Sequence, residues 1–313
     1  MTGCGRRLSE VVWRMLDVRE RAAALALAAR AAQPWAETAG LIEEAGGALR
    51  VVTGDLDRLE WFDRDEAAAL GRRVTADLLD DYSELVEMLD GCGVRLVTIC
   101  DPAYPRNLRR TWDRPPFLFV RGALSALDER AVTLAGGRGA GRAWLDEARQ
   151  LAAGLAAGGF TVVAGLARGV GAAACVAALD AGGRVLATFA TGINLVDPTD
   201  LTGLAHRVLG GGAHLSALWP DAQASDATEA ARDTLAAGLA LGTVLVDGDG
   251  AEIARQARIC LELDRPLLLT AGLVAREPAA AGHARHPGVV VVDSVAQVSA
   301  AIAAEREPAS VGG

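Results

Sequence analysis

From Leu8 to about Leu89 apolar residues return every three to four positions: Val12, Leu16, Ala23, Leu25 and Ala28, then Leu41 and Ile42, Ala67 to Leu70, and Leu78 to Leu89. That period belongs to amphipathic helices, so residues 1–90 are expected to form a small helical domain. The pattern changes at Gly91. Val94 to Ile99 reads as a short strand, while Asp101-Pro-Ala-Tyr-Pro105 and Arg114-Pro-Pro116 are extended and turn-prone, because the residue before a proline is held out of the helical region. Residues 91–130 therefore read as an extended lead-in to a second domain.

From Val132 onward short apolar runs alternate with longer helical patterns. Val132 to Ala135, Phe160 to Ala164, Arg184 to Phe189, Thr243 to Val246, Pro266 to Thr270 and Val289 to Val292 have the length and character of buried strands. The intervening stretches Arg142 to Ala157, Val170 to Ala181, Asp226 to Leu241, Glu252 to Leu263 and Val295 to Ala303 read as helices, and in the first of them Leu145, Ala148, Leu151, Ala152 and Leu155 make one apolar face. Strand and helix in strict alternation imply βαβ units and a parallel sheet. The expected fold is α/β: a doubly wound, mostly parallel Rossmann-like sheet over residues 131–304, preceded by the small helical domain. The Pro/Ser/Gly-rich tail, residues 305–313, is expected to fray.

Composition narrows the picture. At 313 residues the chain exceeds what one hydrophobic core usually serves, which agrees with two domains. Arg6, Arg7 and Glu10 precede the first apolar run, and no stretch of about 18 apolar residues occurs, so neither a signal peptide nor a membrane span is read and a cytoplasmic protein is expected. Cys4, Cys92, Cys100, Cys175 and Cys260 lack any C-x-x-C spacing and read as reduced, structural thiols. All 31 basic residues are arginine. The absence of lysine excludes Schiff-base chemistry and a P-loop of the G-x-x-x-x-G-K-[ST] type. With a net charge of −9, the chain as a whole repels polyanions, so any phosphate binding must come from a local patch.

Candidate chemistry lies where strands meet helices, since open parallel sheets bind ligands beyond the carboxyl ends of their strands. Three such junctions are glycine-rich: Leu134-Ala-Gly-Gly-Arg-Gly-Ala-Gly-Arg142, Val163-Ala-Gly-Leu-Ala-Arg-Gly-Val-Gly171 and Phe189-Ala-Thr-Gly-Ile-Asn194. Glycine lets the backbone approach an anion closely, and the helix that follows offers free N–H groups. Arg138 and Arg168 add guanidinium groups suited to phosphate. A phosphate-bearing ligand is expected, either a free nucleotide or a nucleic acid. A nicotinamide dinucleotide fits poorly, because the first turn is G-G-R-G-A-G and no acid closes the second strand.

These turns, with the lead-in Gly91-Cys-Gly-Val-Arg-Leu-Val-Thr-Ile-Cys-Asp-Pro-Ala-Tyr-Pro105 and Pro115-Pro-Phe-Leu-Phe-Val-Arg-Gly122, resemble the DprA/Smf family of DNA-processing proteins from about Gly91 to the end of the α/β domain. Gly136-Gly-Arg138 stands at the family's Gly-Ser-Arg turn, Gly165-Leu-Ala-Arg-Gly169 matches its Gly-Leu-Ala-Arg-Gly turn, Thr191-Gly192 and Pro198 match its third turn, and Arg232 with Ala237-Gly238-Leu239 is similar to its Arg-Asn-Arg helix. The resemblance implies a non-enzymatic protein that binds single-stranded DNA as a homodimer and hands it to a RecA-type recombinase during DNA uptake. It implies contacts from Gly136, Gly137, Arg138, Gly165, Arg168, Gly169, Thr191, Gly192 and Arg232, with no catalytic residue, cofactor or metal. The sequence departs from the family at Gly137, Gly171, Cys175, Ala190, Ala217, Asp233 and Thr234, and places the acidic loop Asp247-Gly-Asp-Gly250 where the family has Ser-Gly-Ser. Two alternatives stay open beside DNA binding: a sensor for a small nucleotide in the same turns, and a structural partner that has kept the fold and lost the ligand. His283 and His286 read as loop residues, and Ser216 has no hydrolase context.

Overall fold

The computed structural model describes residues 4–306 apart from Gln33, with side chains from Asp17 to Ala304. The side chains of Val12 and Leu16 and the tail from residue 307 lie outside the described part. The chain divides into two compact units, one of residues 1–104 and 112–120 and the other of residues 105–111 and 121–313. The lead-in read over 91–130 is thus shared between them.

The first unit is helical as the periodicity predicts. It contains α1 (Cys4–Arg30), α2 (Trp35–Ala45), α3 (Ala48–Thr53), α4 (Arg64–Arg72) and α5 (Ala76–Gly91), followed by β1 (Val94–Thr98). α1 packs on α2, α3 and α5, and its uninterrupted buried run from Ala22 to Leu27 is matched by Ile42, Val51 and Leu89 on those helices, all with essentially no exposure. Local signals set the helix starts. The Asp63 carboxylate accepts the N–H groups of Asp65 and Glu66, both at 2.9 Å, and the Thr75 hydroxyl accepts that of Leu78, which satisfies amides a helix start otherwise leaves unpaired.

In the second unit α6 (Arg106–Arg109) and the end of β2 (Phe117–Gly122) lead through a 3₁₀ turn, Ala126–Arg130, into β3 (Ala131–Ala135). Then follow α7 (Arg142–Ala157), β4 (Thr161–Gly165), α8 (Val170–Asp180), β5 (Val185–Thr188), α9 (Thr202–Leu209), β6 (Ala213–Ser216), α10 (Asp226–Leu239), β7 (Thr243–Leu245), α11 (Gly250–Glu262), β8 (Leu267–Thr270), α12 (Ala271–Arg276), α13 (Pro278–His283), β9 (Val289–Val292) and α14 (Val295–Arg306). The last helix runs into the stretch read as tail. These strands lie in the order β6-β5-β4-β3-β7-β8-β9, and every pairing is parallel. The six strands expected after Val132 are present within a residue or two of their predicted ends. Ala213–Ser216, between a triple glycine and a polar loop, carries no readable strand pattern and becomes β6 only by pairing with β5.

The sheet is covered on both faces. Val132, Leu134, Val162, Ala164, Val185, Ala187 and Val244 pack with α7, α8, α9 and α14, whereas Leu245, Leu267 and Leu269 pack with Ile253, Cys260, Leu273 and Ala280 on the other side. This doubly wound arrangement matches the expected class. Burial pushes the Cys175 thiol up to about 12 and that of Cys260 up to about 11, so both are inert packing groups.

One polar cluster is enclosed far from the strand ends that matter for ligands. Asp128, 7% exposed, accepts from Arg184 Nε at 2.6 Å and Nη2 at 2.9 Å, from the Ser125 N–H at 2.8 Å and from the Thr161 hydroxyl at 3.2 Å. Arg184 also donates to the carbonyls of Gly211 and Ala123. The cluster ties the entry to β3 to the starts of β4 and β5.

Candidate functional site

The order of the strands fixes where a site can form. From β3 the chain moves outward through β4, β5 and β6, then returns to the other side of β3 for β7, β8 and β9, so the direction of winding reverses between β3 and β7. At such a switch point the helices leave to opposite faces and a crevice opens beyond the strand ends. A cleft of about 490 Å³ lies there. Its walls are the end of β3 with its turn (Thr133 to Arg138), the turn after β4 (Gly165, Ala167, Arg168, Gly171), the inward face of α10 and the first turns of α11.

Glycine is required where the two Gly-Arg turns touch. Gly169 caps the start of α8 at φ 80°, and a Cβ there would strike the Gly137 carbonyl. Gly165 lets Arg232 cross the end of β4: a Cβ would sit 2.9 Å from its Nε. Arg138, Arg168 and Arg232, called from three separate stretches of sequence, line one cleft together with Gly136, Gly137 and Gly165. Thr191 and Gly192 are enclosed outside that lining. The Thr191 hydroxyl donates to the Leu195 carbonyl at 2.6 Å, its carbonyl accepts from Ser216 Oγ at 2.8 Å, and the Gly192 N–H donates to the Ala222 carbonyl at 2.9 Å. These bonds pin the third turn, and they give Ser216 a structural role.

Every cleft arginine is held by a carboxylate. Arg138 pairs with Glu229. Arg168 meets Asp200 through two bonds of 2.9 and 3.2 Å, and its hydrogen bond holds the Asp200 carboxyl below the ordinary range. Arg232 binds Asp233 at 2.7 and 3.0 Å. Arg255, which the sequence reading did not single out, reaches the same Asp233 at 2.8 Å and also pairs with Glu252. Burial works against its charge, but Asp233 and Glu252 raise the Arg255 guanidinium above its ordinary value. Two signals point to Arg255: it follows Glu252 by one helical turn, and it lies in the second turn of a helix that begins just beyond a strand end.

The acidic loop also looks different in three dimensions. Asp247 is buried and pairs with Arg276, whose guanidinium lies 4.4 Å from the Trp144 ring. Asp249 caps α11 by accepting the Glu252 N–H at 2.9 Å. Both charges hold the turn, and both also line a surface recess beside Gly137 and Arg138.

A family model described as DNA recombination-mediator protein A matches residues 95–299. DNA processing protein DprA of Streptococcus pneumoniae is 30% identical over 156 residues, which cover 48% of this chain and 53% of that protein. Protein Smf of Escherichia coli is 33% identical over 147 residues, 46% of this chain and 39% of its own. The chain thus spans about half, or less, of the curated relatives it matches. The X-ray structure of Streptococcus pneumoniae DprA superposes with a TM-score of 0.63 at 23% identity, over 85% of this chain and 95% of that one. That of Helicobacter pylori DprA, described for its single-stranded DNA binding mode, gives 0.57 at 18% identity over 65% and 94%. A match across two thirds of the sequence, centred on the sheet and cleft just described, places this chain in the DNA recombination-mediator protein A family, that of the DprA/Smf proteins.

Proposed function

We propose that the cleft binds single-stranded DNA and that the chain assists DNA uptake and recombination by passing the strand to a RecA-type recombinase in the cytoplasm. It does so without catalysing a reaction. The observation that carries this reading is the convergence of Arg138, Arg168, Arg232 and Arg255, from four different elements, on one cleft walled by glycine turns at the switch point. Guanidinium groups and backbone N–H groups together suit phosphate oxygens. Family membership and the single-stranded DNA binding described for the Helicobacter pylori relative support the same ligand. Among the described residues no helix is long and apolar enough to cross a membrane.

The test is a titration of the full chain against a labelled oligodeoxythymidine at several salt concentrations. Log affinity is expected to fall linearly with log salt, with a slope of about −0.7 for each phosphate contacted, hence between roughly −1.4 and −2.8 for two to four contacts. No binding at low salt would overturn the reading.

The same reading includes a homodimer. Strand β9 ends the strand order, and its Val290 and Val291 are 38% and 41% exposed, with Leu261 exposed on α11. An apolar sheet edge of this kind invites a second copy. Sedimentation velocity should give twice the chain mass, with dissociation when Val291 is replaced by lysine; a monomer at micromolar concentration would remove the dimer from the proposal.

A further inference from the structure

The charge inside the cleft suggests a ligand that a DNA strand does not resemble. Four arginines line it, Arg138, Arg168, Arg232 and Arg255, and so do four carboxylates, Asp226, Glu229, Asp233 and Glu252, so the lining is neutral. Three of the acids, Asp226, Glu229 and Asp233, lie on α10 at helical spacing and therefore on one face of that helix. Asp233 is fully engaged by Arg232, Arg255 and Gln256. Glu229 differs. Its side chain is only 17% exposed, and that of its ion-pair partner Arg138 is 60% exposed.

Arg138 meets Glu229 through one guanidinium nitrogen, so a phosphate on its other N–H groups brings a second negative charge beside Glu229. Glu229, which also interacts with Arg255, then shares its arginines with an anion, and a largely enclosed carboxylate short of partners is unfavourable. The ligand must then bring hydrogen-bond donors of its own within reach of its phosphate. The interior of a DNA strand offers donors only from its bases and none from its sugars, because the 3′-oxygen is esterified and the 2′-oxygen is missing. A free ribonucleotide has a vicinal diol, whose two O–H groups suit the two oxygens of one carboxylate. The volume agrees: about 490 Å³ lies within the range of roughly 300–1,000 Å³ for small-molecule sites.

We propose that the cleft is also a site for a ribonucleoside 5′-monophosphate, with phosphate on Arg138 and the Gly136-Gly137 turn and the ribose diol on Glu229. The proposal rests on reading the cleft as a phosphate site and adds the sugar as the discriminating group. Glu229 is then a specificity-determining residue, and a free ribonucleotide and a DNA strand compete for Arg138.

The experiment is isothermal titration of the full chain with the four ribonucleoside 5′-monophosphates, their 2′-deoxy counterparts and inorganic phosphate, on wild type and Glu229→Ala, with thermal melts to confirm that the variant folds. At least one ribonucleotide should bind about tenfold or more tighter than its deoxy form, as expected for loss of a hydrogen bond to a charged group. In Glu229→Ala that ratio should fall to near one, while oligodeoxythymidine binds at least as tightly as to wild type. Equal affinity for ribo and deoxy forms, a preference that follows the base rather than the sugar, or a ratio unchanged in Glu229→Ala would each overturn it. Failure of every monophosphate while oligodeoxythymidine still binds overturns this inference alone. Failure of both ligands removes the DNA reading as well.

Discussion

Replacing Arg138 and Arg168 together by alanine should weaken binding of a single-stranded oligodeoxythymidine by about 100-fold or more at low salt. Each guanidinium is positioned for a charge-assisted contact, worth about 1.5–3 kcal/mol. The loss goes beyond the two contacts. Both residues now neutralise carboxylates, Arg138 that of Glu229 and Arg168 that of Asp200, so their removal leaves two negative groups facing the strand. The slope of log affinity against log salt should shrink in magnitude by about 1.4, two phosphates at about 0.7 each. The Arg168 change should cost at most about 1 kcal/mol of stability, because both members of its pair are exposed, whereas the Arg138 change leaves the 17%-exposed Glu229 short of a partner, so a thermal melt accompanies the binding measurement. Fluorescence anisotropy at two or more salt concentrations measures both quantities, and an affinity within threefold of wild type would remove these turns from the binding surface.

The second large effect concerns stability and lies away from the cleft. Asp128→Ala should destabilise the α/β unit by about 3–5 kcal/mol, the usual cost of removing one partner from a buried ion pair. The reason lies in what remains behind. Arg184, 15% exposed at its side chain, loses both of its carboxylate bonds, and the Ser125 N–H and the Thr161 hydroxyl each lose an acceptor. In a unit of this size that corresponds to a drop in thermal midpoint of roughly 10 °C. Because the cluster is remote from the strand carboxyl ends, DNA affinity of the folded variant should stay near wild type. A thermal melt within about 2 °C of wild type would show the cluster to be dispensable.

The two variants therefore separate the functions of arginine in a chain without lysine. At Arg138 and Arg168 the guanidinium is exposed, and the proposed binding exchanges its carboxylate contact for one to phosphate. In the Asp128 cluster the guanidinium is enclosed, and its other partners, the Gly211 and Ala123 carbonyls, carry no charge to match it. Burial distinguishes the two cases, since solvent screens the first and is excluded from the second.

Sequence alone determined the alternation of strands and helices from Val132 onward, because buried parallel strands must be apolar runs and the helices between them must carry an apolar stripe. It also located the Gly-Arg turns, since tight strand-to-helix junctions and anion approach both demand glycine, and the resemblance built on them agrees with the family match over residues 95–299. Tertiary structure decided the rest. Strand β6 is defined by pairing with β5 rather than by its own pattern. Residues 91–130 divide between two units because their contacts, not their composition, assign them. Thr191 and Gly192 sit in a turn closed by its own hydrogen bonds, while Arg255, some 90 residues from the nearer Gly-Arg turn, enters the cleft with Arg138 and Arg168. Above all, the neutrality of the cleft is a tertiary property. The carboxylates that hold its arginines come from α10, α11 and the 3₁₀ turn Thr199–Leu201 that carries Asp200, and charges distant in sequence interact only when folding brings them within a few ångströms.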